Sequence, residues 1–91
     1  MQFGIALKTW DEAGEFERPD VLLELALLAE KLGYDSVWAS DHVAIPVSNV
    51  PIHGQCWFDP LVLLTYLAAH TRRIALGTDI LVLPYRHPLF V

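Results

Sequence analysis

Three short apolar runs alternate with two segments of helical periodicity, and no other feature of the chain constrains its fold as strongly. The apolar runs cover residues 2–7, 34–39 and 74–82, and the helical segments cover residues 19–33 and 59–70. A β-α-β-α-β order predicts an α/β fold with a parallel sheet, either open and doubly wound or part of a (β/α)8 barrel. The third run is continuously apolar, which predicts a strand buried on both faces. The first strand–helix connection lacks a glycine-rich dinucleotide fingerprint, and this disfavours a Rossmann-type sheet.

Local signals mark where the helices begin and end. Pro19 suits the first turn of a helix, where its missing N–H costs nothing, and Gly33 suits the left-handed position that ends one. Asp59 and Pro60 form an N-cap acid followed by a first-turn proline, which predicts a second helix start. Residues 43–58 lie between these helices and are predicted to be an irregular loop.

The composition is unusually apolar for a short chain. Of 91 residues, 54% are hydrophobic and only 19% are charged, whereas about 25% of residues are charged in an average domain. Small domains bury a lower share of their surface than large ones. We therefore expect the chain either to oligomerise or to be a piece of a larger protein. Residues 86–91 favour the second, because they look like the first turn of a helix without its body.

Charge and cysteine content narrow the class of protein. The net charge is -5 and no basic patch is present, so no nucleic-acid partner is expected. The single cysteine, Cys56, cannot form an intramolecular disulfide, which fits a reducing compartment. No signal peptide and no membrane span is recognisable, so we expect a cytoplasmic protein without a membrane partner. His53, Cys56 and His70 match no zinc-ligand spacing, so no metal site is expected.

The end of the second apolar run carries the first candidate site. Asp41 and His42 follow it after Ser40, and α/β proteins place their chemistry at the carboxyl ends of strands. A histidine there can give or take a proton near neutral pH. Side chains alternate in direction along a strand, so the two residues are expected to face different partners. The alternative is an ordinary turn acid and a loop histidine.

The third run and the segment after it carry the second candidate site. Gly77 interrupts the apolar run, and glycine within a strand marks a bulge or the close approach of a ligand. Asp79 follows, and an acid in a strand buried on both faces is costly unless it is paired. The alternative is that the strand ends near Thr78 and Asp79 is solvated. Arg86 could pair with a carboxylate or a phosphate, or could be a solvated charge at a helix start.

Three segments, in this order, resemble the luciferase-like monooxygenase family and especially its branch that uses the deazaflavin coenzyme F420. They are residues 1–7, residues 29–42 with the sequence AEKLGYDSVWASDH, and residues 73–88 with the sequence RIALGTDILVLPYRHP. The resemblance implies a (β/α)8 TIM barrel. Residues 1–91 would be its N-terminal part, comprising strands 1–3, helices 1–2 and the start of helix 3.

The resemblance also implies roles for particular residues. His42 would be catalytic, as an acid, a base or a stabiliser of an anion, and Asp41 would hydrogen-bond the edge of the cofactor ring. Thr78 and the peptide between Asp79 and Ile80 would line the back of that ring, and relatives often carry a non-prolyl cis peptide at this place. The implied reaction is hydride transfer between F420 and a small organic substrate in a homo-oligomeric parent enzyme.

Two other functions are compatible with the sequence. One is a monooxygenase that uses reduced FMN on the same barrel, and the other is a non-catalytic small α/β protein that oligomerises through its apolar faces. A complete barrel needs about 250 residues, so the 91-residue chain alone is expected to be inactive and not to bind either cofactor stably.

Overall fold

The computed structural model describes residues 1–10, 18–42, 44–53 and 56–91, with only the backbone of residues 52 and 53. Within these ranges, three strands form one parallel sheet in the order β1-β2-β3. They are β1 (Gly4–Ala6), β2 (Ser36–Ala39) and β3 (Ala75–Thr78). The main helices, α1 (Pro19–Leu32) and α3 (Pro60–Ala68), follow β1 and β2, and the predicted β-α-β-α-β order is confirmed.

The predicted helix boundaries are confirmed at three of their four ends. Helix α1 begins at Pro19, and Gly33 ends it with a φ of 89°, in the left-handed region. Pro60 begins α3, and the Asp59 carboxylate caps it by accepting a hydrogen bond from the N–H of Val62 at 3.0 Å. The end of α3 at Ala68 comes two residues before the predicted one.

The helices cover one face of the sheet. Val37 and Ala39 of β2 are fully buried, whereas Trp38 between them is 39% exposed. Side chains alternate between the two faces of a strand. The helices therefore pack on the face that carries Val37 and Ala39 and leave the face of Trp38 open. The core also takes in Leu22, Ala26 and Ala29 from α1, Leu63 and Leu67 from α3, and Leu7 and Ile74 from the strand flanks.

Trp38 lies across the open face between two glycines. A Cβ atom added at Gly77 would stand 2.7 Å from the Cζ3 atom of the indole, and one added at Gly4 would stand 2.6 Å from its Nε1 atom. The indole N–H donates to the hydroxyl of Ser36 at 2.8 Å. The pairing of β2 with β3 is continuous, so Gly77 makes no bulge. The group that closely approaches Gly77 is therefore the side chain of Trp38, from the neighbouring strand of the same sheet.

The prediction of a third strand over residues 74–82 is wrong in length and in burial. Strand β3 ends at Thr78, and the exposed Asp79 leaves the sheet after its N–H donates to the carbonyl of Ala39 at 3.2 Å. Ala75 is exposed because the helices cover only one face. The apolar residues that follow run irregularly into one turn of 3-10 helix, Leu83–Tyr85. The alternative in which the strand ends near Thr78 is the one the structure supports.

The long loop and the chain end contain short helical turns. The loop predicted to be irregular over residues 43–58 contains a 3-10 turn, Val47–Asn49, followed by the four-residue helix α2 (Val50–His53). At the other end, the helix start predicted in residues 86–91 is a single 3-10 turn, Pro88–Phe90. The imidazole of His87 accepts the N–H of Leu89 at 3.3 Å and takes the place of a capping side chain.

Glu30, in the last turn of α1, fixes the start of β3. One of its carboxylate oxygens accepts N–H groups from Arg72, Arg73 and Ile74 at 3.0, 2.7 and 2.8 Å. The N–H groups of Ile74, Arg73 and Arg72, in that order of effect, hold the pKa of Glu30 below its usual range. Helix α1 is thereby joined to the start of β3, at the edge opposite to the candidate site.

No helix in the described part of the chain is both long enough and apolar enough to cross a membrane.

Candidate functional site

The carboxyl ends of the parallel strands bring the predicted site residues to one edge of the sheet. Ser40 and Asp79, each the residue after its strand, lie side by side, and the Ser40 hydroxyl is 2.9 Å from both oxygens of the Asp79 carboxylate. Thr9, after β1, is fully buried, and its hydroxyl lies 3.4 Å from the carbonyl of Ser40. All three strand ends therefore meet at this edge, as the parallel order requires.

Asp41 points into the protein, away from solvent. Its side chain is 2% exposed, and its Oδ2 atom accepts the N–H of Val82 at 2.9 Å and the Nη2 group of Arg86 at 2.7 Å. Pairing and hydrogen bonding of this kind offset the cost of burying a carboxyl group. Of the partners predicted for Arg86, the carboxylate is confirmed. Contact between Asp41 and a cofactor ring stays a prediction.

Arg86 binds a second carboxylate as well. Its Nη1 group donates to Oδ2 of Asp59 at 2.7 Å, and its side chain is only 13% exposed. The hydrogen bonds that Arg86 donates to Asp41 and then to Asp59 raise the pKa of Arg86 above its usual value. Burial acts to raise the pKa of Asp59, but the N–H of Val62 and the guanidinium outweigh it and leave that pKa below its usual value.

His42 faces different surroundings from Asp41, as expected from the sequence, although both residues lie beyond the end of β2 at Ala39. Its half-buried imidazole meets the indole of Trp57 edge to face, with ring centres 4.3 Å apart and planes at 68°. Trp57 in turn stacks on Trp10, with centres 5.0 Å apart. A backbone bridge joins these two tryptophans, and next to it Phe58 donates its N–H to the carbonyl of Thr9 at 2.9 Å. His42 thus lies against an aromatic pair that spans the ends of β1 and β2.

Trp10 and Trp57 are the site residues that the sequence did not predict. Pattern and spacing favour Trp57 as an ordinary packing residue, because aromatic side chains fill cores far more often than they line sites. The two residues meet by pairing of irregular segments, which leaves no periodic signal. The only sequence feature that indicates Trp57 is its position two residues before Asp59, the N-cap of α3.

The other predicted cofactor contacts lie at the β3 end. Asp79 and Ile80 are exposed, and Asp79 accepts the N–H of Ile80 on its own Oδ1 at 2.9 Å. Thr78 pairs in register with the buried Ala39, so its side chain belongs to the helix-facing side of the sheet. The cis peptide implied between Asp79 and Ile80 is wrong, because every peptide bond in the described ranges is trans. Cofactor binding by these three residues stays a prediction.

The arrangement combines groups of different chemistry at one edge. The imidazole of His42 can exchange protons, the Asp79 carboxylate accepts hydrogen bonds in contact with solvent, and the Asp41–Arg86–Asp59 cluster lies beneath them. Across the described part of the chain, no three His, Cys, Asp or Glu side chains are grouped to hold a metal ion. The site is therefore suited to proton transfer and to the binding of a polar ring edge.

Comparison with known proteins finds relatives that are named as F420-dependent dehydrogenases and as monooxygenases. Two relatives are the F420-dependent glucose-6-phosphate dehydrogenase of Kineococcus radiotolerans, 43% identical over 63 residues, and the 4-hydroxyprotoasukamycin monooxygenase of Streptomyces nodosus subsp. asukaensis, 35% identical over 72 residues. These alignments cover 69% and 76% of this chain, but 18% and 17% of the relatives.

A third relative aligns along almost the whole chain. The alkanal monooxygenase alpha chain of Photorhabdus luminescens is 30% identical over 92 aligned positions, which cover 98% of this chain and 23% of the relative. The chain thus spans between 17% and 23% of the length of these three relatives. The family model for luciferase-like monooxygenases matches residues 1–91. The chain therefore belongs to the luciferase-like monooxygenase family.

Proposed function

We propose that residues 1–91 are the N-terminal part of a (β/α)8 barrel oxidoreductase, cytoplasmic in location, that transfers hydride between coenzyme F420 and a small organic substrate. The observation that carries this proposal is the half-buried His42, held against Trp57 at the carboxyl edge of a parallel sheet. Enzymes built on this barrel carry their catalytic groups at that edge. The 43% identity to an F420-dependent dehydrogenase supports F420 as the cofactor.

Exposed apolar surface supports the proposal that these strands belong to a larger barrel. Leu25, Leu28 and Leu32 lie on one stripe of α1 and are 46%, 50% and 66% exposed. Trp38 and Ala75 leave the other face of the sheet open. Apolar surface on this scale is normally covered by neighbouring elements, and in a barrel the further strands and helices would cover it.

The residues at the β2 and β3 ends fit a flat, polar-edged ring. Trp38 fills the space over Gly77, so a ring has no room there and would sit farther along, above the strand ends. At that level, Ser40 and Asp79 offer a hydroxyl and a carboxylate, and His42 offers an imidazole. These are groups that hydrogen-bond the nitrogen and carbonyl edge of a flavin or deazaflavin.

Coenzyme F420, when bound, supplies a ring carbon that accepts or returns a hydride. His42 would take the proton that a substrate hydroxyl releases as its carbon loses the hydride, and would return it in the reverse direction. Trp57 would hold the imidazole by its edge and keep water from that side of the ring. Asp79 would orient the cofactor edge through the same oxygens that now contact Ser40.

The test uses the protein encoded by the complete reading frame that contains the chain, titrated separately with F420 and with FMN. We expect tight binding of F420, seen as a change in its absorbance, and substrate-dependent reduction. His42→Asn should lower kcat by roughly 10²–10⁴-fold, the usual contribution of a general acid–base group. His70→Asn is the matched control, because His70 is exposed and meets Tyr66 edge to face at the far end of α3.

A reduced-FMN monooxygenase is the second candidate, favoured by the alignment of the alkanal monooxygenase alpha chain over 98% of this chain. Binding of FMN without binding of F420, together with oxygen consumption, would establish it. A folded, discrete oligomer that binds neither cofactor would contradict both and would support a non-catalytic protein.

A further inference from the structure

A single guanidinium, that of Arg86, is bonded to carboxylates beside both members of the His42–Trp57 contact. Asp41, which accepts from its Nη2 group, directly precedes His42 in the chain. Asp59, which accepts from its Nη1 group, follows Trp57 by two residues. The imidazole and the indole that it touches are thus each one or two residues away from a carboxylate bonded to the same arginine.

Burial and charge restrain the Asp41 end of this tether most strongly. Asp41 is 2% exposed and Arg86 is 13% exposed, whereas Asp59 is 43% exposed, and each of the two bonds is a charge-assisted contact of 2.7 Å. Removing one partner of a buried ion pair leaves an uncompensated charge, which is strongly unfavourable. Without the guanidinium, the buried Asp41 carboxylate would lose its charged partner and would move toward water. That movement would shift the residue that directly precedes His42.

The bond from Val82 to Asp41 does not make Arg86 redundant. The N–H of Val82 holds the same Oδ2 atom at 2.9 Å, so it restrains Asp41 but reaches neither Asp59 nor the segment of Trp57. Arg86 alone, among the described residues, makes a hydrogen bond to both carboxylates. A substitution of Arg86 therefore removes the link between the two rings, while the bond from Val82 still holds Asp41.

We propose that Arg86 is a positioning residue for His42: by binding Asp41 and Asp59 together, it sets the imidazole edge-on against Trp57 in the orientation needed for proton transfer. The need for that orientation rests on the proposed function, whereas the orientation itself does not. The geometry can therefore be tested in the protein without cofactor.

The first experiment measures the ring-current shift of the His42 Cε1–H resonance. Histidine-labelled protein from the complete reading frame is used, and His42→Asn assigns the signal. We expect Arg86→Gln to move the resonance most of the way to the value of a solvated histidine. Arg86→Lys keeps the charge but not the forked reach to two carboxylates, so it should give an intermediate shift. An unchanged resonance in folded Arg86→Gln would overturn the proposal.

Two further variants keep the test decisive. Arg18→Gln removes an exposed arginine that donates two hydrogen bonds to a single carboxylate, that of Asp20, and it should leave the His42 resonance unchanged. If Arg86→Gln does not fold, Asp59→Asn takes its place, because asparagine is an equally good N-cap but carries no charge. Loss of the His42 shift in that variant supports the proposal, and retention of the shift overturns it.

Kinetics then link the orientation to catalysis. A small misplacement of a reacting group can lower the rate by about 10²-fold, so folded Arg86→Lys should lower kcat by about 10–10²-fold with little change in KM. A change in KM alone would contradict positioning for proton transfer. If the enzyme shows no flavin-dependent activity, the proposed function fails while the resonance measurement still decides the role of Arg86.

Discussion

The indole of Trp38 occupies the space in which a side chain at Gly77 would stand. A Cβ atom there would lie 2.7 and 2.8 Å from the Cζ3 and Cε3 ring carbons, distances that real Cβ contacts do not show. The glycine and the tryptophan face each other across neighbouring strands, at paired positions of the register.

Gly77→Ala should therefore lower the free energy of unfolding by about 1–3 kcal/mol, the usual cost of overpacking. The loss would be measured by urea unfolding. A double-mutant cycle supplies the control: in a Trp38→Ala background the ring is gone, so Gly77→Ala should cost almost nothing. An equal loss in both backgrounds would show that the ring is not the cause.

Glu30→Gln should weaken the protein most at neutral pH. The folded pKa of Glu30 is lowered from an ordinary value of 4.5, because the ionised carboxylate accepts the N–H groups of Ile74, Arg73 and Arg72. The stabilisation is thus fully present above that ordinary pKa and is lost as the pH falls through the folded pKa.

The measurement is the unfolding temperature as a function of pH for the two proteins. The gap between wild type and Glu30→Gln should close in acid. Glu24→Gln serves as the control, because Glu24 is exposed on the same helix and no backbone N–H group in the described part of the chain donates to it. A gap of constant size at all pH values would contradict the assigned cause.

Asp59 has two functions that different substitutions separate. Asp59→Ala removes both the cap of α3 and the carboxylate bound by Arg86, whereas Asp59→Asn keeps the cap. Loss of an N-cap costs about 0.5–2 kcal/mol, so Asp59→Ala should be less stable than Asp59→Asn by that amount in thermal unfolding. Equal stability of the two variants would mean that the bond from Val62 contributes nothing.

Gly33 offers a test of backbone conformation free of steric crowding. Its φ is 89°, and a Cβ atom added there would meet no atom within 4 Å. Gly33→Ala should therefore cost about 1–2 kcal/mol from the left-handed conformation alone. Gly33→Asn should cost less, because asparagine tolerates that region better. Chemical unfolding of the two variants decides the order, and a more stable alanine variant would refute the explanation.

Sequence features confined to a few consecutive residues predicted the helix boundaries well. Pro19, Gly33 and the Asp59–Pro60 pair mark helix ends through the geometry of one turn, which the sequence shows directly. The length of β3 stayed open between two alternatives, because the apolar residues after Asp79 are typical of a strand. In the structure this segment leaves the sheet, and the N–H of Val82 bonds instead to Asp41, 41 positions away in the chain.

The same distinction applies to the site. The placement of Asp41 and His42 at a strand end follows from local pattern, and so does their division between two sets of partners. The partner of Arg86 was open between a carboxylate and a phosphate until the fold brought Asp41 to it across 45 positions. The stack of Trp10 on Trp57 arises where two irregular segments cross, and no periodicity in either of them indicates it.

The carboxylate of Glu30 also determines how the chain can come apart. It lies at the end of the first helix and binds the residues that lead into the third strand, so that strand cannot detach without leaving three N–H groups without their acceptor. Fraying at the end of α1 and detachment of β3 are thereby coupled. The core amide hydrogens of α1 and β3 should accordingly exchange with one shared free energy of opening, as one cooperative unit and not as two.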